Sequence, residues 1–184
     1  MLSQIQERKL TRLFHVHDTD GNGYVERDDY ERMVRRIADG RGWPEQSAER
    51  EALRARVLSQ WAAIAAGEHP PGSGRVPLDG WLALWNAVLQ AAYEARVRGV
   101  SELLWEAMDQ DGNGRITRLE SRLWFDGYGI SSAAADGAFA ACDLNGDGYV
   151  SRDEWLILVD QFFFSMDAAD PGTLLFGPLD GDTT

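Results

Sequence analysis

The 184-residue chain has little of several things: one cysteine, one lysine among 18 basic residues, and four methionines. Cys142 cannot form an internal disulfide, and a chain without disulfides suits a reducing compartment, so we expect a cytoplasmic protein. The N-terminal segment has early charges and no uninterrupted apolar stretch, which argues against a signal peptide or a membrane-spanning helix. Residue two is not the glycine that myristoylation requires. We therefore expect no membrane partner.

Positive charge is also scarce. The 18 basic residues stand against 30 acidic ones, which gives a net charge of -12 and argues against nucleic acid or an anionic membrane surface as a partner.

His15, His17 and His69 form no ligand spacing with one another, Cys142 has no evident general base, and no phosphate-cradling glycine loop is found. We therefore expect a protein that is not an enzyme.

What the chain does have is a repeated twelve-residue pattern. Residues 18–29, 109–120 and 143–154, the first, third and fourth loops, each begin with Asp and end with Asp or Glu. Each has Asp or Asn at positions three and five, Gly at six, and Val or Ile at eight. This is the EF-hand pattern of a calcium-binding loop.

The pattern follows from what the cation needs. Calcium takes about six to eight oxygen ligands at roughly 2.3–2.6 Å, and a short segment supplies them by curling around the ion. Side chains at positions one, three, five and twelve and the carbonyl of position seven are the donors, and glycine at six allows the sharp turn. The predicted ligands are Asp18, Asp20, Asn22, Tyr24 and Asp29; Asp109, Asp111, Asn113, Arg115 and Glu120; and Asp143, Asn145, Asp147, Tyr149 and Glu154.

The first loop departs from this pattern at position twelve, where Asp29 stands in place of glutamate. The shorter side chain reaches the ion less easily with both oxygens, which lowers the coordination number and favours magnesium. Glu26 at position nine could compensate directly. We predict three Ca2+ sites, the first of which is weaker for calcium or holds Mg2+.

A fourth unit is expected because each helix–loop–helix leaves an apolar face exposed, so that EF-hands pair through their eighth residues. Residues 69–80, the second loop, place Val76 at the eighth position and align Trp81 with Trp155. No carboxylate stands at a ligand position of this loop. We predict a structural second hand that pairs with the first and binds no metal.

Apolar residues recur at helical spacing on both sides of every loop, and the third helix is predicted over roughly residues 45–66. Thr117 to Glu120 and Ser151 to Glu154 also fit the capping box that begins a helix. We predict an all-α fold of four EF-hand helix–loop–helix units in two pairs, compact, with short β-bridges between paired loops. The N-terminal pair spans 1–97, the C-terminal pair spans 98–165, and the apolar tail 166–184 packs back on the core.

Seven tryptophans against four methionines favour a fixed core over the adaptable groove of a calcium sensor. With its silent second hand, long third helix and apolar tail, the chain resembles the sarcoplasmic calcium-binding protein family, most closely its bacterial calerythrin-like members. The resemblance implies a compact helical protein that binds calcium at the first, third and fourth hands and acts as a buffer or transporter. It implies no catalytic activity.

Two other functions stay open. A calcium sensor would expose apolar surface to a protein partner when it binds the ion, although no feature of the sequence indicates such a partner and we expect a monomer. A carrier would hold a small hydrophobic ligand in an aromatic-lined cavity, as related four-hand proteins that bind a luciferin do. Tryptophans at helical spacing are more often packed core.

Overall fold

The computed structural model describes residues 1–66, 73–91, 97, 101, 102, 105, 108, 109 and 111–179. These residues are mostly helical, as predicted. The helices that lie within these ranges are α1 (Gln4–His17), α2 (Arg27–Gly40), α3 (Ala48–Ala65), α4 (Leu78–Ala91), α5 (Arg118–Gly127), α6 (Ser132–Cys142) and α7 (Arg152–Phe164). Ser101, Glu102, Trp105 and Met108, which lead into the third loop, are also helical. Among the described residues, none of the helices combines the length and the hydropathy of a membrane span.

Four short strands join the loops in two antiparallel pairs. They are β1 (Tyr24–Glu26), β2 (Arg75–Pro77), β3 (Arg115–Thr117) and β4 (Tyr149–Ser151). Val25 pairs with Val76 in the first sheet, and Ile116 pairs with Val150 in the second. The predicted bridges through the eighth residues are therefore confirmed. Residues 69–72 of the second loop lie outside the described residues.

Side-chain caps determine where several helices begin. The capping boxes predicted at Thr117 and Ser151 are both present and start α5 and α7 directly after the third and fourth loops. The third helix begins at Ala48, later than the predicted residue 45, because the Ser47 hydroxyl accepts a hydrogen bond from the Arg50 N–H and caps the helix there.

Two tryptophans tie the loop pairs together in the same way. The indole N–H of Trp81 donates to the Leu10 carbonyl and that of Trp155 donates to the Ser101 carbonyl, both at 3.0 Å. Each tryptophan directly follows the twelfth residue of the second or fourth loop, and each acceptor lies eight residues before the start of its partner loop. The alignment of Trp81 with Trp155 thus reflects equivalent packing.

The C-terminal segment, residues 165–179, lies across α6 and α7 through the short 3-10 helix Pro171–Leu174. Leu175 and Phe176 are buried in the hydrophobic core. The Arg12 side chain, on α1, donates through Nε to the Phe176 carbonyl at 2.9 Å. Residues 180–184 of the predicted tail lie outside the described residues.

A fully buried lysine joins the two ends of the fold. Lys9 on α1 has no exposed surface, and its Nζ donates to the carbonyls of Gln161 at 2.9 Å and Ser165 at 3.1 Å. These carbonyls lie at the C-terminal end of α7, where a cation is favoured by the helix dipole. Helices α1 and α7 are therefore held against each other.

Candidate metal sites and an internal cavity

The first residue of each predicted metal loop organises its turn in the same way. Asp18 accepts hydrogen bonds from the N–H groups of the fifth and sixth residues, at 3.0 and 2.9 Å. Asp109 and Asp143 do the same in the third and fourth loops. The sixth residues are glycines with positive φ, of 84°, 78° and 92° in chain order, a conformation that glycine adopts without strain.

The twelfth residue is held in place by the ninth. The main-chain N–H groups of Glu26, Thr117 and Ser151 each donate to the carboxylate three residues later, at 2.8 Å. The carboxylates that accept these bonds belong to Asp29, Glu120 and Glu154, and all three residues are buried. The acidic side chain that ends each loop is therefore oriented by the first turn of the following helix.

Carboxylate oxygens converge in two of these loops. One oxygen each from Asp18, Asp20 and Asp29 lie within 4.8 Å of one another, and the same is true of Asp109, Asp111 and Glu120. Negative charges this close repel, so the arrangement favours a bound cation. The donors are all oxygens, which suit a hard divalent ion such as calcium.

The fourth loop is held by hydrogen bonds among its polar residues. The N–H of Asn145 donates to Glu154 Oε1 at 3.1 Å, and its side-chain amide donates to Asp147 Oδ2 at 2.9 Å. The third, fifth and twelfth residues of this loop are thus linked directly. The donor types match those of the other two loops.

The second loop keeps the turn without the acidic donors. Gly74 has a φ of 68°, like the glycines at the sixth position of the other loops. The Ser73 hydroxyl, at position five, accepts from the Arg75 N–H at 3.1 Å. Asp79 accepts from the Gly80 N–H at 2.9 Å, so the one carboxylate of residues 73–80 bonds within the first turn of its own helix.

Sequence reasoning missed the side chains at position seven, because it assigned a role only to their carbonyls. The Arg75 guanidinium lies over the Tyr24 ring at 5.6 Å, and that of Arg115 lies over the Tyr149 ring at 4.1 Å. Cation–π contacts of this kind add to the strand pairing. Once the loops were aligned, the sequence showed an arginine at position seven in one loop of each pair and a tyrosine at position seven in the other.

Sequence reasoning also missed Arg32, three residues after Asp29. Its Nη2 lies 2.7 Å from an oxygen of Asp29 and 2.7 Å from an oxygen of Asp20. The corresponding residues after the third and fourth loops are Leu123 and Ile157. The sequence did contain a signal for this contact: the first hand has a basic residue at this position, and the third and fourth hands do not.

An internal cavity of about 310 Å³ lies among α1, α3, α4 and α7 and the C-terminal segment. Its walls are mostly apolar and aromatic, and Ser59 and Ala63 on α3 are exposed wall residues, so the cavity reaches the surface along that helix. The aromatic wall residues are His17, Tyr30, Trp81, Trp85, Tyr128, Trp155, Phe163 and Phe176.

The cavity has few polar groups. Two polar groups of the wall residues have no hydrogen-bond partner among the described residues. They are the hydroxyl of the fully buried Tyr30 and the indole N–H of Trp85. Burial lowers the pKa of His17 to about 4, so the ring is neutral at pH 7. Its Nδ1–H donates to the Leu13 carbonyl at 2.9 Å. The walls therefore carry no formal charge at neutral pH.

Comparison with known proteins agrees with the loop geometry. A family model of the EF hand matches residues 135–159, which enclose the fourth loop. Luciferin-binding protein from Renilla reniformis is 25% identical over 177 residues, which cover 94% of this chain and 93% of that protein. The structure of a sarcoplasmic calcium-binding protein from amphioxus superposes with a TM-score of 0.73 at 19% identity, covering 97% of this chain and 99% of the other.

Calerythrin from Saccharopolyspora erythraea is 30% identical over 168 residues, which cover 89% of this chain and 95% of calerythrin. An identity of this level over nearly the whole length of both chains reflects common descent, and the predicted resemblance is confirmed. The chain belongs to the calerythrin family of EF-hand calcium-binding proteins.

Proposed function

We propose that the first, third and fourth loops each bind one divalent cation through the fifteen residues predicted from sequence, and that the second loop binds none. The observation that carries this proposal is the convergence of the first, third and twelfth carboxylates within 4.8 Å in the first and third loops. In each loop the side chains at one, three, five and twelve and the carbonyl at seven would be the ligands.

The chain then consists of four hands in two pairs. The N-terminal pair occupies residues 1–97, the C-terminal pair 98–165, and the tail 166–184 packs on the core. Three equivalences support this division: the strand registers, the arginine–tyrosine contacts at position seven, and the tryptophan bonds to the entering helices.

A monomeric, cytoplasmic calcium buffer is the role that we infer for these sites. A sensor needs an apolar face that a partner can reach when calcium binds. Here Leu175 and Phe176 cover the helices and are themselves buried, and the Arg12 bond holds them in place. A protein whose apolar surface is already covered suits ion storage better than partner binding.

Calorimetric calcium titration of the whole chain tests the three sites. We expect three binding events per chain, and two in each of the variants Glu120→Gln and Glu154→Gln, because the amide removes one negative oxygen at position twelve. Combining the two substitutions leaves only the first loop with its full set of acidic ligands. Millimolar magnesium should weaken calcium binding chiefly at this loop, since the shorter Asp29 favours six ligands. Asp79→Asn in the second loop is the matched control and should leave three events.

Three events in both glutamine variants would contradict the assignment of position twelve. A large calcium-dependent gain in the fluorescence of an apolar-surface dye, measured on the same samples, would contradict the buffer role and support a sensor. A constant or falling signal would support the buffer.

The cavity supports a second candidate function, carriage of a small neutral aromatic molecule. Its volume of about 310 Å³ lies at the lower end of the range for ligand pockets, and its walls combine aromatic faces with a few polar groups, as ligand pockets do. The luciferin-binding protein similar to this chain is named for its binding of a luciferin. We infer a planar compound with a hydrogen-bond acceptor for the Tyr30 hydroxyl.

Flavone, a neutral planar ketone, tests the cavity through quenching of tryptophan fluorescence. We expect saturable binding of one flavone per chain and at least about tenfold weaker binding by Val88→Phe, because the added ring occupies space that the buried Val88 side chain borders. Ala87→Phe, on the exposed side of the same helix, is the matched control and should bind as the parent does. Equal affinity in all three chains would place the flavone elsewhere and refute this candidate.

A further inference from the structure

An arginine side chain brings a positive charge to the first loop. The Arg32 guanidinium, in the second turn of α2, pairs with Asp20 and Asp29 at 2.7 Å each. Its Nε donates to the Thr19 hydroxyl at 2.8 Å, and that hydroxyl donates to Asp29 at 2.9 Å. Two of the three carboxylates that converge in this loop are thus bound by one arginine.

These contacts engage both oxygens of the Asp29 carboxylate. Its Oδ1 accepts from the Thr19 N–H, the Thr19 hydroxyl and Arg32, and its Oδ2 accepts from the Glu26 N–H. Asp29 is fully buried and the Arg32 side chain is 25% exposed, so solvent and salt screen this ion pair less than a surface pair. A divalent ion that takes the same oxygens, Asp20 Oδ2 and Asp29 Oδ1, as ligands must displace the guanidinium.

The other loops have no counterpart of this arrangement at the same position. Leu123 and Ile157 stand three residues after Glu120 and Glu154, and neither side chain carries a charge. The difference is therefore specific to the first hand and separate from the shorter side chain at its twelfth position.

We propose that Arg32 is a built-in counter-cation of the first loop, which stabilises the metal-free loop and competes with the divalent ion for Asp20 and Asp29. This inference rests on the proposed binding of a divalent ion by that loop. It makes the first site weaker than its ligand set alone would, and it keeps the loop ordered when calcium is scarce. Removal of the arginine should therefore raise the calcium affinity of the first loop and lower the stability of the metal-free chain.

Calcium titration of the full chain with Glu120→Gln and Glu154→Gln isolates the first loop. In this background we expect Arg32→Leu, which installs the residue of the third hand, to bind calcium about tenfold more tightly, a change of about 1.4 kcal/mol. The gain should shrink as sodium chloride is raised. Arg35→Leu removes the same charge from an exposed position of the same helix and should change the affinity by less than about twofold. If the background chain does not fold, the weakest binding step of the otherwise unaltered chain gives the same comparison.

Urea unfolding in the presence of a chelator supplies the second readout. Arg32→Leu should unfold at lower urea than the parent when no metal is bound, and Arg35→Leu should not. A purely structural arginine would lower both stability and calcium affinity when removed, and that outcome would overturn the inference. Unchanged affinity in Arg32→Leu would also overturn it and leave the first site intact. Absence of binding in both chains would instead overturn the first loop as a site, and this inference with it.

Discussion

Calcium is expected to raise the melting temperature of this protein by more than about 10 °C. Each loop contributes about 2.7 kcal/mol when free calcium is a hundredfold above its dissociation constant, because the ion binds the folded chain and not the unfolded one. For a chain of this size about 1 kcal/mol corresponds to roughly 2–4 °C. The effect is large because the ion removes the repulsion within groups such as Asp109, Asp111 and Glu120, which lie within 4.8 Å.

Thermal unfolding followed by circular dichroism, in chelator and in calcium, measures this effect. The double variant Glu120→Gln with Glu154→Gln is the matched control, since it retains the fold-forming residues but only one complete set of acidic ligands; its rise should be about one third of the parent's, in line with one site in place of three. Identical melting curves of the parent in chelator and in calcium would refute calcium binding by these loops.

Replacing Gly172 with alanine is expected to destabilise the protein by about 2–3 kcal/mol, in the range for overpacked sites. A Cβ at this position would lie 2.4 Å from the Leu158 carbonyl oxygen and 2.5 Å from the Gln161 Cβ. Both atoms belong to α7, whose backbone cannot yield without losing helical hydrogen bonds, so the C-terminal segment must move away. Leu175 and Phe176 would then leave the core.

Urea unfolding in saturating calcium gives the change in stability, and dye binding reports the apolar surface that the displaced segment uncovers. Gly137→Ala is the matched control because its added Cβ would meet no atom within 4 Å. Gly137 lies in the middle of α6, so alanine there should stabilise by about 0.5–1 kcal/mol. An unchanged unfolding midpoint for Gly172→Ala would mean that the segment is not held by this contact.

The sequence was informative wherever function depends on neighbours along the chain. A cation loop draws its ligands from twelve successive residues, so the Asp18, Asp109 and Asp143 turns and the caps at Thr117 and Ser151 follow from local hydrogen bonding. The pairing of Val25 with Val76 was also predictable, because loop alignment fixes which residues face each other across the bridge. The start of α3 was predicted too early, at about residue 45, because the cap at Ser47 was overlooked.

The sequence by itself thus determined the family, the repeated cation loops and the calcium chemistry, since oxygen donors at fixed offsets specify a hard-ion site wherever the loop is placed. Only the tertiary structure decided what surrounds those loops. The contacts of Lys9 with Gln161 and Ser165, and the bond from Arg12 to Phe176, each join residues about 150 or more positions apart. The cavity likewise depends on how several helices pack together. Such contacts depend on three-dimensional shape complementarity, which no local spacing encodes.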